Sequence, residues 1–201
     1  MKWEFKRDRS VLMVIDMQND FVVDGAIMQV KEAKNQLPKI RRLIGKCREL
    51  NVPVIYTIHE TDEVYCPLEV AAFPELKEGG MRTGTSGQQI VSELEPEPNE
   101  TIIYKRRFSA FYQTHLEIIL RNIRGSVNPV DTIIICGTVT NICCESTARD
   151  AFFRDYKVVF GTDICSANTP EAHAATLVNM EVFGRNMDCE SIISALERGE
   201  G

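Results

Sequence analysis

The sequence predicts an α/β fold: an open, parallel sheet with helices on both faces. Short apolar runs alternate along the whole chain with stretches of helical periodicity, the pattern of successive βαβ units. The 201 residues are 44% apolar, enough for one full core, and neither an internal repeat nor a linker divides them, so a single domain over residues 1–201 is expected. Three of the apolar runs also end in residues that carry chemistry.

The first strand is Val11-Leu-Met-Val-Ile-Asp16. A loop from Gln18 to Gln29 leads to a helix capped by Asn35, with Pro38 in its first turn and Leu37, Ile40, Ile44 and Cys47 on one face. The second strand runs over residues 51–59. Residues 60–87 form a long connection with Pro67, Pro74 and glycines at 79, 80, 84 and 87, read as part of a substrate lid or a plain surface excursion. A short helix near residues 88–94 and an acidic turn at 95–100 precede the third strand, Thr101-Ile-Ile-Tyr-Lys105. Thr114 and Glu117 form a capping box for a helix with Leu116, Ile119, Leu120 and Ile123 inward and Gly125 at its end. The fourth strand, Thr132-Ile-Ile-Ile-Cys-Gly137, enters a helix capped by Thr140. A strand over residues 157–161 follows. Thr169-Pro170 opens a helix carrying Leu177, Met180 and Phe183 and closed by Gly184. A short strand at 185–187 and a helix from Asp188 complete the chain.

In open parallel sheets, ligands bind outside the carboxyl ends of the strands. Asp16, Lys105 and the turn holding Cys143 therefore share one edge. With Thr140 as cap, Cys143 falls in the first helical turn, where free N–H groups and the helix dipole favour early loss of the thiol proton. Singly, each residue has a structural reading: Asp16 as a loop cap, Lys105 as a strand-end surface charge, Cys143 as a buried thiol. Together, a base, a cation and an activated thiol form a nucleophilic constellation.

From about Val11 to Leu196 the chain resembles the isochorismatase-like cysteine hydrolases. The resemblance is carried by Asp16-Met-Gln-Asn-Asp-Phe21, Lys105-Arg-Arg-Phe-Ser-Ala-Phe111 and Gly137-Thr-Val-Thr-Asn-Ile-Cys143 with Glu145-Ser-Thr-Ala-Arg-Asp-Ala151 behind it. It implies a three-layer Rossmann-like α/β/α fold with six parallel strands in the order 3-2-1-4-5-6. It also implies an Asp16–Lys105–Cys143 catalytic triad, a cis peptide between Thr138 and Val139, and an oxyanion hole from the backbone N–H groups of Val139 and Cys143. Cys144 reads as packing. In that strand order the first and third strands lie roughly 10 Å apart, so Lys105 must lean back along the edge or leave its strand early.

The implied cycle is thiolate attack by Cys143 on a carbonyl carbon, with Asp16 taking the thiol proton, passing it to the departing nitrogen and then activating water against the thioester. By resemblance Gln18 and Phe21 line the pocket, though Phe21 suits the core equally. Phe108, Phe111 and Tyr112 follow Lys105 directly, and Asn141 either reaches the pocket or helps cap the helix. Arg106 or Arg107 would clamp a substrate carboxylate or lie in a surface salt bridge. Nicotinamidase-type members carry a metal-binding Asp-x-His with further histidines behind strand two. Here that place reads Thr57-Ile-His59, and the loop after it has no histidine. No metal and no cofactor is expected. The stretch from Gly84 to Thr114 is most similar to the ureidoacrylate amidohydrolase and N-carbamoylsarcosine amidase branch. The expected function is hydrolysis of a C–N bond in a small ureido, N-carbamoyl or amide substrate. Vinyl ether hydrolysis of the isochorismatase type, or a non-catalytic scaffold, are the alternatives.

A formal net charge of −6 argues against nucleic acid as partner. No Gly-x-Gly-x-x-Gly follows the first strand, which disfavours a dinucleotide module. Seven cysteines at irregular spacing, without Cys-x-x-Cys, indicate neither a zinc ribbon nor a thioredoxin-like site; Cys136 and Cys165 sit in or near apolar runs and look buried. The charged N-terminus precedes too short an apolar run for a signal peptide, and no stretch is long enough to span a membrane. The expectations are a cytoplasmic protein, a small-molecule substrate and, from the resemblance, a homo-oligomer (dimer or tetramer).

Overall fold

The computed structural model describes Trp3 and residues 6–125 and 129–199; both ends of the expected 1–201 domain lie outside these. Six strands form one sheet: β1 (Ser10–Ile15), β2 (Val54–His59), β3 (Thr101–Lys105), β4 (Thr132–Thr138), β5 (Lys157–Ser166) and β6 (Arg185–Met187). Their order is β3-β2-β1-β4-β5-β6, with every pairing parallel. This is the expected order.

β1 lies at the centre with every residue buried. Its side chains alternate between the layers: Leu12 and Val14 join one apolar cluster, Val11, Met13 and Ile15 the other. The first cluster packs under α2 (Ala33–Glu49) and α8 (Cys189–Arg198), through Ile40, Ile44, Ile192 and Leu196. The second packs under α5 (Leu116–Asn122), α6 (Glu145–Phe152) and α7 (Pro170–Phe183), through Leu116, Leu120, Ala148 and Met180. A one-turn helix, α1 (Asn19–Val22), follows β1, and α3 (Pro67–Ala72) and α4 (Pro74–Lys77) lie between β2 and β3. Among the described residues, no helix is long and apolar enough to cross a membrane.

Several local expectations are corrected. α2 begins at Ala33, so Asn35 lies inside it and its amide donates to Glu32 (3.0 Å). Thr140 is likewise interior: a π-helical turn over Thr140–Cys144 precedes α6, its N-cap is Val139, and the Thr140 hydroxyl meets His173 Nδ1 (3.0 Å). Glu117 pairs with Arg121 rather than closing a capping box, and Thr114 accepts from the Leu116 N–H (3.2 Å). The segment near residues 88–94 holds only a 3₁₀ turn, Ser92–Leu94. β5 runs on to Ser166, because its pairing with β4 resumes after an irregularity in β5, Ile135 facing Phe160 and Gly137 facing Cys165. The 60–87 connection carries α3 and α4, each with its proline in the first turn, where a missing N–H costs nothing.

Gly137 fixes the geometry where β1 and β4 end together. It pairs with Ile15, its φ is +119°, and a Cβ there would lie 2.1 Å from the Ile15 carbonyl oxygen. Only glycine fits.

Candidate active site

The floor of the site is a buried ion pair. Asp16 leaves β1 with φ +47° and no exposed surface. Its backbone N–H donates to Thr57 Oγ1 (3.0 Å), and the Thr57 hydroxyl donates back to Asp16 Oδ1. Its other oxygen, Oδ2, lies 2.7 Å from Lys105 Nζ, with both side chains fully buried. Lys105 remains the last residue of β3, in register with His59 of β2. Its long side chain passes the end of β2, which removes the difficulty of the intervening strand. Nζ also donates to the Arg107 carbonyl (3.2 Å). Burial pushes the ammonium down, but Asp16 and then Cys143 outweigh it, so Lys105 is held above its ordinary value.

Cys143 sits in the π turn, 2% exposed, and borders a cavity of about 360 Å³. Its sulfur approaches His59 Nδ1 at 3.9 Å. Polar atoms of Asp16, His59 and Cys143 all lie within 4.8 Å of one another. Burial pushes the thiol up. Lys105 opposes this, Asp16 adds to it, and the net direction is upward. The early loss of the proton expected from the helix terminus is thus opposed by desolvation and by the neighbouring carboxylate. The peptide between Thr138 and Val139 is cis, as expected, and Val139 lines the cavity.

The remaining predicted residues are dispersed. Phe21 and Phe108 line the cavity with Cys143. Phe108 stands edge-on to His59 (centroids 6.0 Å apart) and to Phe73 (6.4 Å). Gln18 is fully buried but does not line the cavity; it clamps the end of β2. Its Oε1 accepts from the His59 N–H (2.8 Å), while Nε2 donates to the carbonyls of His59 (2.9 Å) and Gln88 (2.9 Å). Phe111 packs against Tyr156 in the core, Tyr112 is half exposed over a separate shallow depression, and Asn141 is exposed. Both arginines are engaged elsewhere. Arg106 pairs with Glu60 (2.8 Å) and stacks on Tyr65, while Arg107 donates to the Tyr65 carbonyl (2.7 Å) and approaches Glu69 (3.7 Å).

The sequence reading left out His59 as an active-site member and Thr57; it gave residues 60–87 as part of a substrate lid or a surface excursion but named none of the residues by which that segment walls the cavity. That wall comprises Glu69, Phe73, Glu75, Leu76 and Met81. The strand-end rule, applied to β2, points to His59 as it does to Asp16 and Lys105. Asp16, His59 and Cys143 offer the donor types of a metal site. The Lys105 ammonium already holds the Asp16 oxygen at 2.7 Å, where a metal's charge would lie. The set does not fit a metal.

An all-parallel α/β sheet with Asp, Lys, His and Cys gathered at its carboxyl edge defines a hydrolase of the cysteine type. The isochorismatase domain model matches residues 10–191, and the chain belongs to that family. It is 33% identical over 192 residues to "Nicotinamidase 3" of Arabidopsis thaliana, covering 93% of this chain and 88% of that protein. It is 34% identical over 180 residues to a second Arabidopsis protein, named "Probable inactive nicotinamidase" (87% and 89% covered). The crystal structure of a cysteine hydrolase from Pseudomonas syringae pv. phaseolicola 1448A superposes with a TM-score of 0.90 at 28% identity, covering 98% of this chain and 97% of that one.

Proposed function

We propose that this chain is a cysteine-dependent amidohydrolase that cleaves a C–N bond of a small ureido, N-carbamoyl or amide substrate through a thioester, releasing ammonia or an amine. The observation that carries the reading is the position of Cys143, which borders the cavity and lies beside the buried Asp16–Lys105 pair. A thiol in an amide pocket, next to a base, is the arrangement nucleophilic catalysis requires.

In the forward step Asp16 takes the thiol proton as sulfur attacks the carbonyl carbon, and Lys105 steadies the negative charge that passes between oxygen and sulfur. The N–H groups of Val139 and Cys143 receive the oxyanion, a contribution of roughly 3 kcal/mol per donor in comparable sites. Asp16 then delivers its proton to the leaving nitrogen. Phe21, Phe73 and Phe108 give the cavity an apolar, aromatic lining, suited to a compact substrate. Arg106 and Arg107 are engaged in ion pairs and backbone contacts of the wall, whereas the Lys31 ammonium lines the cavity itself and is the cation there that could meet a substrate carboxylate.

The test is ammonia release from a panel of ureas, N-carbamoyl amino acids, simple amides and nicotinamide, with Cys143→Ala as control. Turnover of a panel member, abolished in Cys143→Ala, is the expected outcome and names the branch. Turnover surviving in Cys143→Ala would overturn the thioester route. Silence across the panel would shift the reading to vinyl ether cleavage or a scaffold.

A further inference from the structure

Burial grades the lining of the cavity. Cys143, His59 and Glu69 are buried, Phe73 and Phe108 are half-buried, and Lys31 and Glu75 are exposed. The nucleophile therefore stands at the inner end and two opposite charges stand at the mouth, with apolar side chains between. Lys31 belongs to the turn before α2, whereas Glu75 belongs to α4. Among the described residues neither side chain has an ion-pair partner, unlike Arg106 and Arg107. Asp20 ties the two segments together: its carbonyl accepts from the Met28 N–H (3.2 Å) and its carboxylate from the Met81 N–H (2.6 Å). The Glu75 carbonyl in turn accepts from the Gly80 N–H (3.0 Å). The backbones that carry the two charges are thus held at a set spacing across the mouth.

We propose that Lys31 and Glu75 bind the headgroup of an α-amino acid, whose amide or ureido group lies at the far end of its side chain. This rests on the amidohydrolase reading of the same site and narrows its substrate class. A free cation and a free anion at one mouth match an α-carboxylate and an α-ammonium together, and neither group alone uses both. The apolar stretch between mouth and nucleophile takes the methylenes of the side chain. Glu69 fixes the direction of entry. Its side chain is 10% exposed at the inner end, so a carboxylate placed beside the scissile carbonyl would meet a buried like charge. A carboxylate at the mouth meets Lys31 instead. Compounds with the ureido group on the α-nitrogen carry their carboxylate at the wrong end for this cavity.

The test measures binding apart from chemistry, by calorimetry on the full chain carrying Cys143→Ala. Citrulline is compared with 4-ureidobutylamine, which lacks its carboxylate, 5-ureidopentanoate, which lacks its ammonium, and N-butylurea, which lacks both. Nα-carbamoylornithine, an isomer with the same charges, places the ureido group at the α-nitrogen. The same set with CH2 in place of the ureido NH covers amides. Citrulline or its amide counterpart should bind tightest, with Kd raised about fivefold by loss of either charge, and the α-isomer should bind more weakly. Adding Lys31→Met should close the gap between citrulline and 4-ureidobutylamine, and Glu75→Gln the gap between citrulline and 5-ureidopentanoate. Both gaps should narrow with added salt. N-butylurea binding as tightly as citrulline, gaps that survive the two substitutions, or no binding in either series would each overturn the proposal. Ammonia release by the unsubstituted protein is read separately. Charge-ordered binding without turnover would spare the headgroup site and bring down the amidohydrolase reading; turnover without charge order would do the reverse.

Discussion

The two carboxylates near Cys143 are held in opposite ways. Asp16 ends the central strand, fully buried, fixed by the reciprocal Thr57 bonds and by Lys105. Glu69 rides on the six-residue helix α3, one oxygen approached by Arg107 and the other facing the His59 ring. The floor is thus specified by three adjacent parallel strands, whereas the wall is specified by a short helix and partly exposed ion pairs. Chemistry that must not vary sits on the sheet; what meets the substrate is carried by the part that is easiest to change.

The largest expected break in this contrast is Lys105→Met, which leaves the Asp16 charge buried and alone. A loss of about 3–5 kcal/mol in urea denaturation is expected, with activity abolished. Next is Gly137→Ala: left-handed strain of about 1–3 kcal/mol, plus displacement of the Ile15 carbonyl that sets the start of the Asp16 turn, read as a lowered Tm. Gln18→Leu strips the His59 backbone of its partners and should cost about 1–3 kcal/mol, read as a lowered urea midpoint. Arg106→Ala, at the solvent edge of the wall, should change stability by about 1 kcal/mol or less.

The floor and wall also separate by pH. Lys105 is held above its ordinary 10.5, so its stabilisation is complete below that value and lost only as pH rises through its folded value. His59 is held below its ordinary 6.5, so the unfolded chain takes up a proton that the folded site refuses. Stability therefore falls as pH drops through 6.5. His59→Asn should flatten this acid limb and leave the alkaline one in place; loss of both limbs would mean that floor and wall titrate as one unit.

The ionic part of the floor was legible in the sequence because strand ends are: a short apolar run stops visibly at Asp16 and at Lys105. The strand order came with the family resemblance, and the reach of Lys105 became clear only once its register with His59 was known. The wall was legible only as a long connection that could cover the site, not residue by residue. Glu69 meets His59 across ten residues of connection, and the 60–87 segment holds helices too short to show periodicity. The caps failed for a similar reason. Thr140 reads as a cap by residue type, but the π turn draws it inward and His173, 33 residues on, takes its hydroxyl. Gln18 was singled out for its position near Asp16, and nothing local reveals that its amide faces backbone rather than pocket.

All seven cysteines are free and buried. Only Cys143 borders the cavity. A small neutral alkylating agent applied to the native protein should therefore consume one thiol per chain and spare six, until unfolding releases the rest. The molecule carries its own titrant: the number of moles of reagent taken up before denaturation is the number of intact sites in the sample.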